Sequence, residues 1–426
     1  MKHGFIKIGF RQIGLRRLCF IFLLLLAESV SSQTWLHFDT LNSAIANNAV
    51  NDITEDRDGN IWIATNQGVS KFDGINWITY NSSNSPLPTD VCYAIAAQGN
   101  IIWIGSVHGL VKIDSGVWTI YDQFNSNIPA GYITDIEIES GSAIWIGTWQ
   151  YGCARFEANN FTSFQSTNSG LSADNVISIE YQADSNFVWI ASWPFGGVSK
   201  YDFSGWQTFD PTNSILPTYD VNGVAIDDSN NVWLSTSAGV CRYDGQSWLV
   251  FDTSNTPMTN LQIVSKPKID SHSNEWFASN YMGLVKFDDS NWTFYDTTNS
   301  PLTDNATTTL WIDRNGNKWV GTYNGVYVFN DSGVVLNGVP EQSPKMNDIT
   351  LFPNPANSTI GFQSEIDFER YRLLDLEGRV LRESMMERVS SGQSYFVSVE
   401  GLKAGMYLID LYSDNGLVYR KKITKN

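Results

Sequence analysis

The sequence predicts an all-β protein: a seven-bladed β-propeller whose N-terminal strand closes the last blade, followed by a small Ig-like β-sandwich. Three observations lead there. A tryptophan recurs at Trp62, Trp103, Trp145, Trp189, Trp233, Trp276 and Trp319, at intervals of 41, 42, 44, 44, 43 and 43 residues. Units of that length with alternating apolar positions and turn residues make four short strands each, and an array of them forms a propeller. The seventh unit lacks its last strand, and a segment of matching wording stands near the start of the chain. After residue 333 the tryptophans stop, and a turn-rich stretch with period-two apolar positions takes over.

Residues 1–32 read as a signal peptide. Lys2, Lys7, Arg11, Arg16 and Arg17 accompany the apolar run LCFIFLLLLA, which gives way to small polar residues near Ser32. The run is about ten residues, short of a bilayer span, and Cys19 does not follow it as a lipid-anchored cysteine would. No other segment is apolar enough to cross a membrane, so no transmembrane segment is expected in the mature chain. Loss of the leader removes five bases and one acid, moving the formal charge from −17 to −21. So acidic a surface repels nucleic acid and anionic membranes.

The propeller is expected over residues 33–333. Each leading tryptophan is followed by a glycine, at Gly68, Gly109, Gly152, Gly197, Gly239, Gly283 and Gly325, and then by a short run such as KFD at Lys71 or KYD at Lys200. A second aromatic follows at Trp77, Trp118, Phe161, Trp206, Trp248 and Trp292, but not in the seventh unit. Its counterpart is Trp35, in TWLHFDTLNS, which precedes Trp62 by 27 residues, the separation of Trp292 from Trp319. Closure of this kind removes exposed sheet edges. Large flat side chains suit the wedge-shaped gaps between blades, and 13 of the 16 tryptophans fall at the two repeat positions. Trp149, Trp193 and Trp311 are surplus. Cys92, Cys153 and Cys241 fall in different blades without a CxxC pair and read as small buried hydrophobes.

The wording W-[ILVF]-[AGS]-[TS], glycine, then [KR]-[FY]-D resembles the two-component-regulator propeller repeat, over about residues 34–333. That repeat implies the architecture strongly and a ligand weakly; with no kinase or membrane span in this chain, signalling does not carry over.

Residues 334–346 form a polar stretch with Gly, Pro and Ser and read as a linker. Residues 347–426 resemble the C-terminal sorting domain of type IX secretion substrates. The matching residues are Pro353, Asn354 and Pro355, the turn at Asp375, Gly378 and Arg379, the strand at Leu402, Gly405 and Tyr407, and the basic tail at Lys421, Lys422 and Lys425. The resemblance implies export by the type IX machinery, as a partner, to the surface or outside of a Gram-negative bacterium.

No catalytic residues, metal ligands or cofactor are expected. His37, His108 and His272 fall on different blades, and no G-x-S-x-G, HExxH or phosphate loop is present. The turns EDRDGN, IDDSNN and IDRNGN suit tight hairpins and lack the terminal acid of a calcium loop. Asp90, Asp174, Asp220 and Asp304 precede the innermost strands, where they cap turns or, as a ring of acids, could hold a cation. The hairpins between second and third strands share one face with the inter-blade loops. They place His108, Trp149, Tyr151, Trp193, Phe195, Tyr281 and Tyr323 there as candidate ligand-binding residues. Exposed aromatics beside Asn, Ser and Thr suit a glycan, peptide or protein ligand; packing over the channel is the alternative use. A secreted or surface binding protein is the leading expectation. A hydrolase or lyase of polysaccharide or cyclic peptide using His108 and the inter-blade aspartates, and a structural protein without ligand, are the alternatives.

Overall fold

A computed structural model describes residues 34–425, except 140–142, 261, 264, 337–349, 354, 364–369, 375–379, 386–393 and 414–415. The expected signal peptide therefore lies outside the described residues. Seven four-stranded antiparallel sheets follow one another around a ring. The first holds β2 (Val50–Glu55), β3 (Ile61–Thr65), β4 (Gly68–Phe72) and β5 (Trp77–Tyr80) in that order. The last holds β26 (Thr307–Ile312), β27 (Lys318–Thr322) and β28 (Gly325–Phe329), and its fourth strand is β1 (Trp35–Phe38). Strand β1 runs antiparallel to β28 with Leu36 opposite Val328 and Phe38 opposite Val326, so the two ends of the repeat array close the ring.

Each gap between blades is filled by one apolar cluster containing one leading tryptophan. Trp62 joins Ala64 and Val69 of the first blade to Ile95, Ile102 and Ile104 of the second. Trp319 joins Val326 and Val328 of the last blade to Ile53, Ile61 and Ile63 of the first. The seven leading indoles are at most 5% exposed. Burying an indole also buries its N–H, which needs an acceptor. The hairpin ahead supplies one: Nε1 of Trp62, Trp233, Trp276 and Trp319 donates to Asp56, Asp227, Asp270 and Asp313 at 2.8–2.9 Å. Asp56 Oδ1 also accepts the N–H groups of Asp58 and Asn60. The Asp-rich turns thus satisfy their carboxylates internally, which is why they recur before tryptophan.

The seam between last and first blade carries extra connections. The Arg314 guanidinium pairs with Glu55 and donates to the carbonyls of Asp56 and Arg57. Val334 and Leu336 pack on the apolar cluster of that seam, and Val335 exchanges hydrogen bonds with Asn317. The first residues of the expected linker therefore lie against the propeller. Cys92, Cys153 and Cys241 are buried free thiols, and burial pushes Cys92 and Cys241 up to about 12.

The C-terminal region forms two sheets. One holds β29 (Thr350–Phe352), β30 (Thr359–Gln363) and β33 (Ser394–Ser398); the other holds β31 (Arg370–Leu374), β32 (Val380–Met385), β34 (Gly405–Ser413) and β35 (Gly416–Lys425). Ile360, Phe362 and Val397 of the first share a core with Tyr371, Leu373, Ile409 and Ile423 of the second, the arrangement of a small sandwich. Pro353 and Pro355 are exposed beside β29, and Tyr407 donates its hydroxyl proton to the Lys403 carbonyl at 2.8 Å. Gly405 opens β34 opposite Lys425, and the backbones of Lys421 and Lys422 pair with Ile409 and Leu408. Asn354, Gly378, Arg379 and the Lys421 and Lys422 side chains lie outside the described residues.

Candidate functional site

The innermost strands line the central channel, and in six blades they carry the same irregularity. Register slips by one residue at Asn51, Tyr93, Thr134, Ile177, Asn222 and Thr308. Such a bulge turns the extra residue out of the ladder and redirects its side chain. Four of these side chains donate to a carbonyl of the next blade: Asn51 to Cys92, Thr134 to Val176, Asn222 to Ile263 and Thr308 to Val50, at 2.5–2.8 Å. The blades are thereby linked around the channel.

Above this ring lies a mouth of about 430 Å³ lined by Tyr93, Tyr132, Trp149 and Tyr323 together with Asn51, Thr134, Ile177 and Thr308. Residues from the first, second, third, fourth and seventh blades meet here, so the mouth depends on ring closure. Tyr132 and Tyr323 are 47% and 60% exposed. Trp193 adds its ring 5.8 Å from that of Trp149, and Tyr93 lies 5.9 Å from Tyr132. Of the residues picked out by sequence, Trp149, Trp193 and Tyr323 come together at this mouth. Tyr151 packs on the inter-blade loop at Gly131, Phe195 is held by an N–H to Asp220 hydrogen bond, and Tyr281 is exposed on the sixth blade. His108 lies apart, in a cavity of about 240 Å³ with Pro88, Asp122, Phe124 and Pro129.

Sequence reasoning missed Tyr93, because a bulge in the innermost strand leaves no mark in a period-two pattern, and Tyr132, which ends an inter-blade loop just before the strand Ile133–Ile138. It also missed the charged channel below. The sixth blade's innermost strand is only Lys268–Ile269, since Pro267 has no N–H to give the ladder. The displaced Lys266 reaches Glu137 at 2.8 Å and Glu180 at 2.7 Å and donates to the Ile179 carbonyl. Burial opposes its charge, but Glu137, Glu180 and Asp135 lift its pKa well above the ordinary lysine value. Asp52 and Asp135 accept the backbone N–H groups of Ile95 and Ile179 across blade gaps. Burial pushes Asp52 up to about 6 and lowers Lys268. The lone signal for this channel was a Lys-Pro-Lys run where the other repeats are mostly apolar.

The inter-blade aspartates fasten loops instead of pointing at a common ion. Asp90 and Asp174 accept the N–H groups of Ser82 and Ser166, eight residues earlier, and Asp304 accepts that of Ala306. The expectation that they cap the entry to the innermost strand thus holds for Asp304 only. Asp90 and Asp174 brace the start of their own loop, accepting an N–H that the turn itself leaves without a partner, as Asn305 does for Thr297 and Asn48 for Thr40. Among the described residues no group of three or more His, Cys, Asp or Glu is placed to hold a metal ion.

Residues 44–67 match the two component regulator propeller family, and residues 350–426 match the secretion system C-terminal sorting domain. No curated protein sequence matches the chain. Among solved structures it is similar to PorZ, a surface component of the type IX secretion system of Porphyromonas gingivalis, at 14% identity and TM-score 0.58 over 92% of this chain and 60% of that one. It is also similar to the extracellular domain of BT3049 from B. thetaiotaomicron, described as a hybrid two component system, at 18% identity and TM-score 0.59 over 92% and 54%. Virginiamycin B lyase from Staphylococcus aureus is similar at 14% identity and TM-score 0.55 over 69% and 98%. The chain thus spans little more than half of the first two proteins, and at these identities the likeness is one of fold. Ring and tail together describe a β-propeller that carries a two component regulator propeller match at residues 44–67 and, at residues 350–426, a type IX secretion C-terminal sorting domain, which indicates secretion to the surface or outside of a Gram-negative bacterium.

Proposed function

We propose that the exported chain is a binding protein that grips a glycan, peptide or protein segment at the mouth of its channel. The observation that carries this reading is the aromatic rim: Tyr93, Tyr132, Trp149 and Tyr323 converge on one cavity, with Trp193 against Trp149. Rings left half-exposed in water around a concavity suit stacking on a flat or ring-shaped partner. A lyase or hydrolase reading is less well supported, because His108 lies in a different cavity and the inter-blade aspartates serve loop N–H groups.

The mature chain should give specific hits on an array of glycans and peptides. Trp149→Ala plus Trp193→Ala should weaken those hits by about tenfold or more, since two stacking rings are lost. Melting temperature should fall only slightly, because both indoles are partly exposed. An unaltered set of hits in the double variant would reject the rim as the site.

A further inference from the structure

Among the described residues, every exposed aromatic of the propeller lies on the face that carries the mouth. There are eight, from Phe124 and Phe195, 88% and 77% exposed, to Tyr281 and Tyr323, and all stand in inter-blade loops or in hairpins between second and third strands. Phe124 is the plainest case. It is the third residue of the turn DQFNS, where five of the other six loops place Ser or Thr, at Ser83, Thr167, Thr212, Ser254 and Thr298. The fold therefore has no need of a ring there. Its backbone N–H donates to the Asp122 carboxylate at 2.8 Å, and both residues line the cavity of about 240 Å³ walled by Pro88, Ile128 and Pro129. Phe195 is tied in the same way to Asp220, at 3.1 Å.

The charge of this face has one sign. The inter-blade loops 39–49, 81–91, 122–132, 165–175, 210–220, 252–260 and 296–306, with the hairpins between second and third strands, contain nine aspartates and no lysine or arginine. None of the nine is buried. The eleven lysines and arginines of residues 34–333 stand in strands, in hairpins of the opposite face or, for Lys266, inside the channel. Hydrogen bonds from Thr212, Ser254 and Thr298 hold Asp210, Asp252 and Asp296 below the usual carboxylate range, so they stay ionised at neutral pH. Such a face repels anionic glycans and acidic peptides, and a neutral glycan makes no use of the charge. Nor does it suit a point cation, since among the described residues no three carboxylates converge. The rings mark the face as one that is covered, and the charge selects what covers it.

We propose that the loop face docks an extended basic segment of a protein partner, with arginine or lysine side chains set on its exposed rings and paired with the aspartates beside them. A guanidinium or ammonium group is drawn to an aromatic face, and its N–H groups need acceptors at the edge of that ring. Phe124 with Asp122 and Phe195 with Asp220 supply both. The inference rests on the mouth as the place of binding and names the chemistry of what is gripped.

The test is fluorescence anisotropy of the full mature chain with a short labelled peptide of alternating glycine and arginine, and with its counterpart carrying glutamate for arginine. The arginine peptide should bind, more weakly as salt is raised, and the glutamate peptide should not. Asp122→Asn and Phe124→Ser should each weaken binding about two- to fivefold. Both reproduce residues of the loop 81–91, where Asn81 accepts the Ser83 N–H, so the turn is kept. Asp228→Asn removes the same charge from a hairpin of the opposite face and should leave binding unchanged. No binding of the arginine peptide at millimolar concentration, or equal affinity in all three variants, would overturn the proposal. A neutral or anionic array hit that the Trp149→Ala plus Trp193→Ala variant loses would overturn the basic partner and leave the mouth as the site. Hits that all survive in that double variant would overturn both.

Discussion

Deleting Thr34 through Asp39 should open the ring. The segment supplies the fourth strand of the last blade, and its removal bares β28, whose residues are all buried. Trp35 loses Phe329 and Tyr295, and Phe38 loses Phe72, Trp77 and Trp319. Together with Leu36 these side chains are half-buried, and at about 1.5–3 kcal/mol for a fully buried apolar side chain the loss is on the order of 5 kcal/mol. That is comparable to the whole stability of many domains, about 5–15 kcal/mol. An apolar strand with an unpaired edge also recruits other chains. The shortened protein should elute as aggregate by size exclusion and lose its cooperative melting transition. A monomer with unchanged melting would mean that the last blade does not need this strand.

Gly325→Ala should be nearly as damaging from the other side of the same contact. Gly325 has φ near +107°, and a Cβ there would stand 2.3 Å from the Phe38 carbonyl oxygen. The variant must therefore either strain its backbone or push β1 away, at a cost of about 2–4 kcal/mol. Gly99→Ala is the matched control, with φ near +66° and no atom within 4 Å of the added methyl. It should cost only about 1–2 kcal/mol, the price of the left-handed conformation alone. Urea midpoints of the two variants, at equal slope, measure the difference. Equal losses would show that the contact with β1 carries no weight.

Much of this architecture was legible because the repeat is written in large residues. Thirteen tryptophans at two positions mark the strands, and one of them, the orphan Trp35, marks the closing one. The seven hairpin glycines were legible as turns. Their common reason was not: each one lies under a carbonyl of the fourth strand, such as Tyr80 over Gly68 and Phe251 over Gly239. Trp149, Trp193 and Tyr323 were found from hairpin position alone. Tyr93 escaped because a one-residue bulge changes which face a side chain takes, and nothing in the local alternation announces it. Lys266 and Lys268 escaped for a related reason, since Pro267 interrupts a strand that the repeat spacing treats as regular. Rules of period and propensity read ladders well and read the breaks in them poorly, and the channel of this protein is built from the breaks.

Ring closure is the claim on which the mouth depends, because Tyr323 of the last blade reaches Trp149 of the third only in a closed circle. Native-state amide hydrogen exchange over residues 35–38 tests it directly. The hydrogen-bonded amides of this segment should be protected to the same degree as those of Val326–Val328 and should open with them. Exchange of residues 35–38 at the rate of an unstructured peptide, with Val326–Val328 still protected, would contradict the closed ring.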